Sequence, residues 1–298
     1  MAIISSLQNT RVKDAIHLRG ARHRRRRGRI VIDGVRELAR AVSAGVEFVE
    51  VFVCRSLLAG EEAAALRKTL ETSGGEILEV SEAVFEKLAF GSRAEGVLAV
   101  AEMPKTTLGD LDIGMKSPHP SPLRAPTEGW SGEGTNAMVP ESSLLVAVLE
   151  GVEKPGNIGA VLRSADAAGV AALILADART DLYNPNAIRS SLGTIFTVPV
   201  CEASSGETLD WLRQKGFQIV AARVDGSVPY TEIDYRRPTA VVLGSEAAGL
   251  SEAWSAADIA AVRLPMLGAA DSLNVSATAA VIFYEALRQQ EAGRGQKH

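Results

Sequence analysis

Apolar residues along the chain fall into short continuous runs separated by amphipathic stretches. RIVI (29–32), FVEVFV (48–53), EILEV (76–80) and GVLAVAEM (96–103) read as strands. Between them, GVRELARAVSAG, Leu57 to Leu70 and SEAVFEKLAF space their apolar positions as helices do, with Gly45 and Gly74-Gly75 as stops. Ahead of the first strand, SSLQNTRVKDAIHLR brings Leu7, Val12, Ile16 and His17 near one helical face, with Ser5 or Ser6 available as the cap. The alternation predicts a small α/β domain over residues 1–107. The pattern then stops. Residues 108–142 are dense in Pro, Gly and Ser and hold no periodicity, which predicts a linker.

From residue 143 the alternation resumes. SLLVAVLE, VAALILA, FTVPV, FQIVAAR, TAVVLG and IAAVRL read as strands. Helices are expected at 156–168 (opening on Pro155-Gly156-Asn157, with Asn157 suited to cap it), at 184–191, at 206–215, from Ser251 and over 272–290. Runs of Val, Ile and Ala without polar alternation mark a parallel sheet covered on both faces. The fold class is therefore α/β, with a second domain over 143–298. Ligands of such sheets bind beyond the carboxyl ends of the strands.

Composition narrows the class. Hydrophobic residues make up 46% and charged residues 23% of the chain, the balance of an ordinary folded protein. No apolar run is long enough to span a membrane, and the first ten residues do not read as a secretory signal, so a soluble cytoplasmic protein is expected. Cys54 and Cys201 stand alone, and His17, His23, His119 and His298 are scattered. Neither set forms a zinc pattern or a disulfide framework. The net charge of -4 hides a split. Residues 1–29 hold nine bases against Asp14 alone, whereas the rest of the chain is acidic. Such an arm suits either a polyanionic partner or a solvated tail.

Three strand-to-loop junctions carry candidate chemistry. In LEGVEKPGNIGAVLRSADAAGV, Arg163 sits in an apolar helical stretch, as a snorkelling side chain or as one waiting for a partner. In AVVLGSEAAGLSEAW, Gly244 and Gly249 flank Glu246. The glycine spacing matches a phosphate-binding loop, but Leu250-Ser251 stands where that loop needs Lys and Ser/Thr, and no GxGxxG occurs for a nicotinamide cofactor. In VRLPMLGAADSLNVSATAAV, capping accounts for one of Ser272, Asn274, Ser276 and Thr278 but not for all four.

Asn157 with Arg163, then GSEAAGL, then LPMLGAADSLNVS resemble the three signature motifs of the SpoU (TrmH-type) RNA 2′-O-ribose methyltransferases of the SPOUT superfamily. Each motif is weak alone. Their order, their spacing and the tripeptide Ser272-Leu273-Asn274 make the set specific. The resemblance covers 143–290 and includes Pro185, Arg189, Ser191 and Gly193. The first domain is similar to the family's substrate-binding domain, of the L30-like kind. Two positions depart from the usual pattern: Lys154 replaces a common Asp, and Ala247 a common Gly.

The resemblance implies S-adenosyl-L-methionine as cofactor, held in a trefoil knot by Gly244, Leu264 and Leu273 with Met266 nearby. It implies Arg163 at the reacting centre, with Asn157, Glu246 and Asn274 orienting it and the ribose, Ser272 as a further contact, and no metal. It also implies a homodimer through the second domain. Helix 272–290 is compatible with that interface or with a core position. RNA is the expected partner, met by Arg24, Arg25, Arg26, Arg27 and Arg189. The separate first domain favours large-subunit (23S) ribosomal RNA over transfer RNA. The remaining alternative is an inactive RNA-binding module.

Overall fold

The computed structural model describes residues 3–58, 60, 65–66, 68–70, 74–90, 95–111, 113 and 144–294. They divide into two compact units: Met1–Lys105 with Tyr183–Thr197, and Thr106–Leu182 with Val198–His298.

The first unit is built on strands β1 (Arg29–Asp33), β2 (Phe48–Val53), β3 (Glu76–Glu79) and β4 (Val97–Glu102), in the order β1-β4-β2-β3. β4 is antiparallel to β1 and β2, while β2 and β3 are parallel. Five successive residues of β4 are buried, because both faces of this interior strand are covered. Helices α1 (Thr10–His17), α2 (Ala21–Arg27), α3 (Val35–Ser43) and α4 (Glu82–Leu88) surround the sheet, and the unit also holds α6 (Pro185–Ser190). Within the expected helix 57–70, residues 65–66 and 68–70 are helical; 59, 61–64 and 67 lie outside the described residues. The cap of α1 is Asn9, whose Oδ1 accepts the Arg11 amide at 2.9 Å, rather than Ser5 or Ser6.

The basic arm is not a tail. Val12, Ala15 and Leu18 pack with Val84, Phe85 and Leu88 of α4 and with Val31, Phe52, Leu98 and Val100 of the sheet. Removing residues 1–28 would therefore empty part of this core. Several of the arginines are structural as well. Arg24, expected to meet RNA, is fully buried, and its Nη1 donates to the carbonyls of Leu18 (2.7 Å) and Arg19 (2.6 Å). Those carbonyls end α1, where a cation also meets the negative pole of the helix. Arg19 does the same for α4, donating to the carbonyls of Lys87, Leu88 and Ala89 at 2.6–3.0 Å. Arg27 forms a two-pronged pair with Asp14, each contact 2.9 Å. Arg22, Arg25 and Arg26 are exposed and make no ion pair with another described residue.

A buried cation serving buried carbonyls is costly to remove. Arg24→Ala is expected to lower stability by about 2–3 kcal/mol, read as an earlier unfolding midpoint in urea, while Arg25→Ala leaves the midpoint in place.

The second unit is a seven-stranded, wholly parallel sheet. Its strands are β5 (Leu145–Glu150), β6 (Ala172–Ala176), β7 (Val200–Ala203), β8 (Gln218–Ala222), β9 (Val228–Pro229), β10 (Thr239–Leu243) and β11 (Ile259–Arg263), in the order β7-β6-β5-β10-β8-β11-β9. β5, β6 and β10 are buried along their whole length, as their apolar runs predicted. The pleat sends Val146, Val148, Ile174, Ile219, Ala240 and Val242 into one cluster with Leu209, Trp211 and Leu212 of α7 (Ser205–Gln214). The intervening residues Ala147, Leu149, Leu173 and Leu175, also buried, face the other side. Helices α5 (Pro155–Ala168) and α8 (Val275–Arg294) pack along one another.

Several boundaries differ from expectation. Leu111 belongs to the core of the second unit, with Leu108 and Ile113 against it, so residues 108–111 and 113 are not linker; 112 and 114–143 lie outside the described residues. Strand β7 begins at Val200 rather than Phe196, because Thr194–Phe196 forms a 3-10 turn. The helix expected from Ser251 is a single 3-10 turn, Glu252–Trp254, pinned by the buried Trp254. Helix α5 starts at Pro155, a favoured first position, so Asn157 lies inside the first turn and its side chain is free for other work.

Candidate active site

The loops after β8, β10 and β11 meet at the carboxyl end of the second sheet. They enclose a cavity of about 880 Å³, within the range of small-molecule sites. Val262, Leu264, Met266, Leu273 and Val275 supply apolar surface, and Gly244–Leu250 supplies backbone. All four residues expected to hold a cofactor, Gly244, Leu264, Met266 and Leu273, line it, as do Glu246 and Ser272.

The loop after β10 folds back on itself. Ser245 and Gly249 exchange two backbone hydrogen bonds, 3.2 and 3.0 Å. This return presses the chain against Gly244, where a Cβ would lie 2.3 Å from the carbonyl carbon and oxygen of Gly249 and 2.6 Å from the Leu250 nitrogen. Only glycine fits.

A second anchor was not anticipated from the sequence. Glu150, at the end of β5, is buried. Its Oε1 accepts from the hydroxyls of Ser205 and Ser251, both 2.6 Å, and its Oε2 accepts the Ser251 amide at 2.7 Å. Burial alone would raise its carboxyl, but these bonds outweigh it and hold the group below the usual carboxylate range. The carboxylate thus ties the β10 loop to β5. The signal was available, as an acid closing a wholly apolar strand.

Glu246 gathers two of the expected residues, Asn157 and Asn274, together with Lys154 at the rim of the cavity. Its Oε1 accepts from Asn157 Nδ2 (2.8 Å) and from Asn274 Nδ2. Its Oε2 accepts from the ammonium of Lys154. Asn274 Nδ2 also lies 3.4 Å from Asn157 Oδ1. The Lys154 hydrogen bond, then that of Asn157, holds the Glu246 carboxyl below its usual range. An ionised carboxylate with both oxygens occupied is an organiser of donors rather than a proton acceptor. Lys154, the departure from the common Asp, is therefore part of the cluster. Asn274 serves twice: its amide nitrogen meets Glu246, while its Oδ1 caps α8 by accepting the Ser276 amide (2.9 Å) and hydroxyl (2.7 Å).

Arg163 is not in this cluster. It is exposed on α5, and no hydrogen bond or ion pair joins it to another described residue. Six residues separate it from Asn157, which turns it roughly 120° around the helix. The expectation that Asn157, Glu246 and Asn274 orient Arg163 is thus not met within one chain. Ser272 is exposed on the cavity wall without a hydrogen bond among the described residues. Arg189 lies in the first unit, half-buried beside Asp33, whose carboxyl burial pushes up to about 6 despite that neighbouring charge. Arg223 and Asp225, in the loop after β8, also line the cavity, and Arg223 is held by both oxygens of Asp225 and by Ser255. The rule that ligands sit beyond strand ends pointed to this loop, but its residue types carried no motif.

Residues 144–284 match the model of the SpoU rRNA Methylase family, and residues 9–99 match an MRM3-like substrate binding domain. A crystal structure of an RNA 2′-O ribose methyltransferase is 38% identical and covers 97% of this chain and 100% of its own, with a TM-score of 0.76. The chain belongs to the SpoU family. The SpoU methyltransferase AviRb of Streptomyces viridochromogenes, solved in complex with AdoMet, is 29% identical and superposes over 96% of this chain and 99% of its own, with a TM-score of 0.78. A 23S rRNA (uridine(2479)-2′-O)-methyltransferase of the same organism is 37% identical over an alignment spanning 62% of this chain and 66% of that protein. An α/β fold with a parallel-sheet domain is common to this chain and the AviRb structure. No described helix is long and apolar enough to cross a membrane.

Proposed function

We propose that this chain is an S-adenosyl-L-methionine-dependent methyltransferase acting on a ribose 2′-hydroxyl of large-subunit (23S) ribosomal RNA. The observation that carries this reading is the cavity lined by the second and third motif loops, with the Glu246 cluster, which brings in Asn157 of the first motif, at its rim. The cavity fits the cofactor: apolar side chains at Leu264, Met266 and Leu273 suit an adenine, and the backbone packed around Gly244 offers fixed donors and acceptors. The neighbours described above, AviRb with AdoMet among them, support the same assignment. When bound, the cofactor supplies a methyl group on a sulfonium.

A ribose hydroxyl is a poor nucleophile and needs its developing charge stabilised. Arg163 supplies a guanidinium fork for the neighbouring RNA phosphate and for the 2′-oxygen. It does not take the proton, since a guanidinium stays protonated. The proton leaves to the RNA phosphate or to water. Glu246, Asn157 and Asn274 hold the donors that orient the ribose.

Because Arg163 faces away from its own chain's cluster, it serves a second copy's cavity in a homodimer. Its helix packs along α8, on which Val281 and Tyr284 are 37% and 51% exposed, three residues apart on one face. Such a stripe suits burial between two copies. The chain path suits a trefoil knot: β10 returns between β5 and β8, β11 lies beyond β8, and a Cβ at Gly226 would lie 2.5 Å from the Val262 carbonyl carbon. The first unit acts as an L30-like substrate-binding domain. Its match to a substrate binding domain supports RNA contact, and the exposed Arg22, Arg25 and Arg26 of α2 meet phosphate.

Incubation with methyl-labelled cofactor tests the reading. Label is expected in 23S RNA, at one ribose that then resists alkaline cleavage of its 3′ bond. Label in transfer RNA alone would move the substrate, and no label in any RNA together with no cofactor binding would leave an RNA-binding module.

A further inference from the structure

Helix α2 reads ARHRRRR, and after Ala21 only His23 in it is not an arginine. The His23 ring stacks on that of His17, in the last turn of α1, with centroids 5.1 Å apart and planes 20° apart. His17 is exposed even with His23 against it, and His23 is half-buried. Exposed Arg22 and Arg26 set their charges beside the His23 ring, with Arg26 Nη2 3.5 Å from His23 Nδ1, and exposed Arg25 lies on the same short helix. Desolvation, then the nearby Arg26 charge, pushes the His23 imidazole below its ordinary range, so at neutral pH it adds a flat, uncharged ring rather than another cation.

Two facts separate this pair from its neighbours. No carboxylate is hydrogen-bonded to either ring, and no cluster of three or more metal-ligating residues occurs among the described residues. A helix whose task was charge alone would have no use for stacked imidazoles. Aromatic faces set among guanidinium groups are the arrangement that binds unpaired nucleotides, the cations on phosphate and the rings on bases.

We propose that the His17–His23 stack is a platform on which an unpaired RNA base docks, its phosphates held by Arg22, Arg25 and Arg26. The proposal rests on the reading of α2 as an RNA-contacting surface and adds the class of ligand: a single-stranded or looped-out nucleotide, not a duplex. Extended stacking also explains why the exposed ring belongs to α1 while the arginines belong to α2, since base and backbone then meet different helices.

The test uses the full-length protein and a short single-stranded RNA carrying 2-aminopurine, whose fluorescence falls on stacking. Wild type is expected to quench the probe. His17→Ala is expected to lose quenching and roughly five- to 150-fold in affinity, with the salt dependence of binding unchanged. His17→Phe restores both, and an unshifted unfolding midpoint shows that the fold is intact. Arg22→Gln/Arg25→Gln/Arg26→Gln instead reduces the salt slope by about 2. If His17→Ala binds and quenches as wild type does while the arginine variant loses its slope, the platform is wrong and the α2 surface stands. If neither variant changes binding, both fall.

Discussion

Gly244→Ala is expected to cost the protein its cofactor site. The added methyl would stand 2.3 Å from the Gly249 carbonyl and 2.6 Å from the Leu250 nitrogen. Those atoms are backbone, so no side-chain rotation relieves the contact. The β10 loop must open instead, and Ser245 and Gly249 must give up their paired hydrogen bonds. Overpacking of this kind costs about 1–3 kcal/mol in stability. The loss in binding should be larger, because the same loop lines the cavity together with Leu264 and Leu273. Titration calorimetry with S-adenosylmethionine is expected to show affinity reduced by at least about 100-fold, equivalent to roughly 2.7 kcal/mol. Gly249→Ala gives a sharp comparison. Its added Cβ meets nothing within 4 Å, and only its φ of +66° is strained, which costs about 1–2 kcal/mol. If Gly244→Ala binds cofactor no worse than Gly249→Ala, close backbone packing is not what shapes the site.

The contrast between these two glycines shows where the sequence was readable. Both stand in GSEAAGL, where the glycine spacing treats them alike. Only the fold distinguishes a residue crowded by returning chain from one in open space. The parallel sheet was legible because strands covered on both faces must be apolar throughout, as β5, β6 and β10 are. The Glu246 cluster was legible as a set of residue types, but Lys154 was visible only as a departure from a pattern. Its ammonium proved to fill the one carboxylate oxygen that the two asparagines leave. The arginine run was misread at Arg24, because composition counts charges and cannot say which one lies over the carbonyls ending α1. The turn after Gly249 was misread for a related reason. Trp254 and the Ser251–Glu150 bonds stop that segment after one turn, and both are long-range contacts.

Arg163 carries the other large effect, and its position decides how to measure it. Arg163→Ala is expected to lower kcat by about 10²–10³-fold, the usual loss when one donor to a developing oxyanion is removed, with cofactor affinity unchanged. Arg163→Lys should recover little, since an ammonium cannot make the forked contact. Those results alone would fit a residue acting in its own chain. Mixing two inactive proteins separates the cases. One carries Arg163→Ala with an intact cavity; the other carries Gly244→Ala with an intact arginine. In a mixed two-fold dimer with arginine acting across the interface, one of the two sites regains both parts, and random exchange of subunits returns about a quarter of wild-type activity. Arginine acting within its own chain returns none. The structure favours the first outcome on geometry: Asn157 and Arg163 leave α5 on different faces, the first bound to Glu246 and the second exposed. A second copy laid against the α5–α8 surface is what would bring the guanidinium to a cavity.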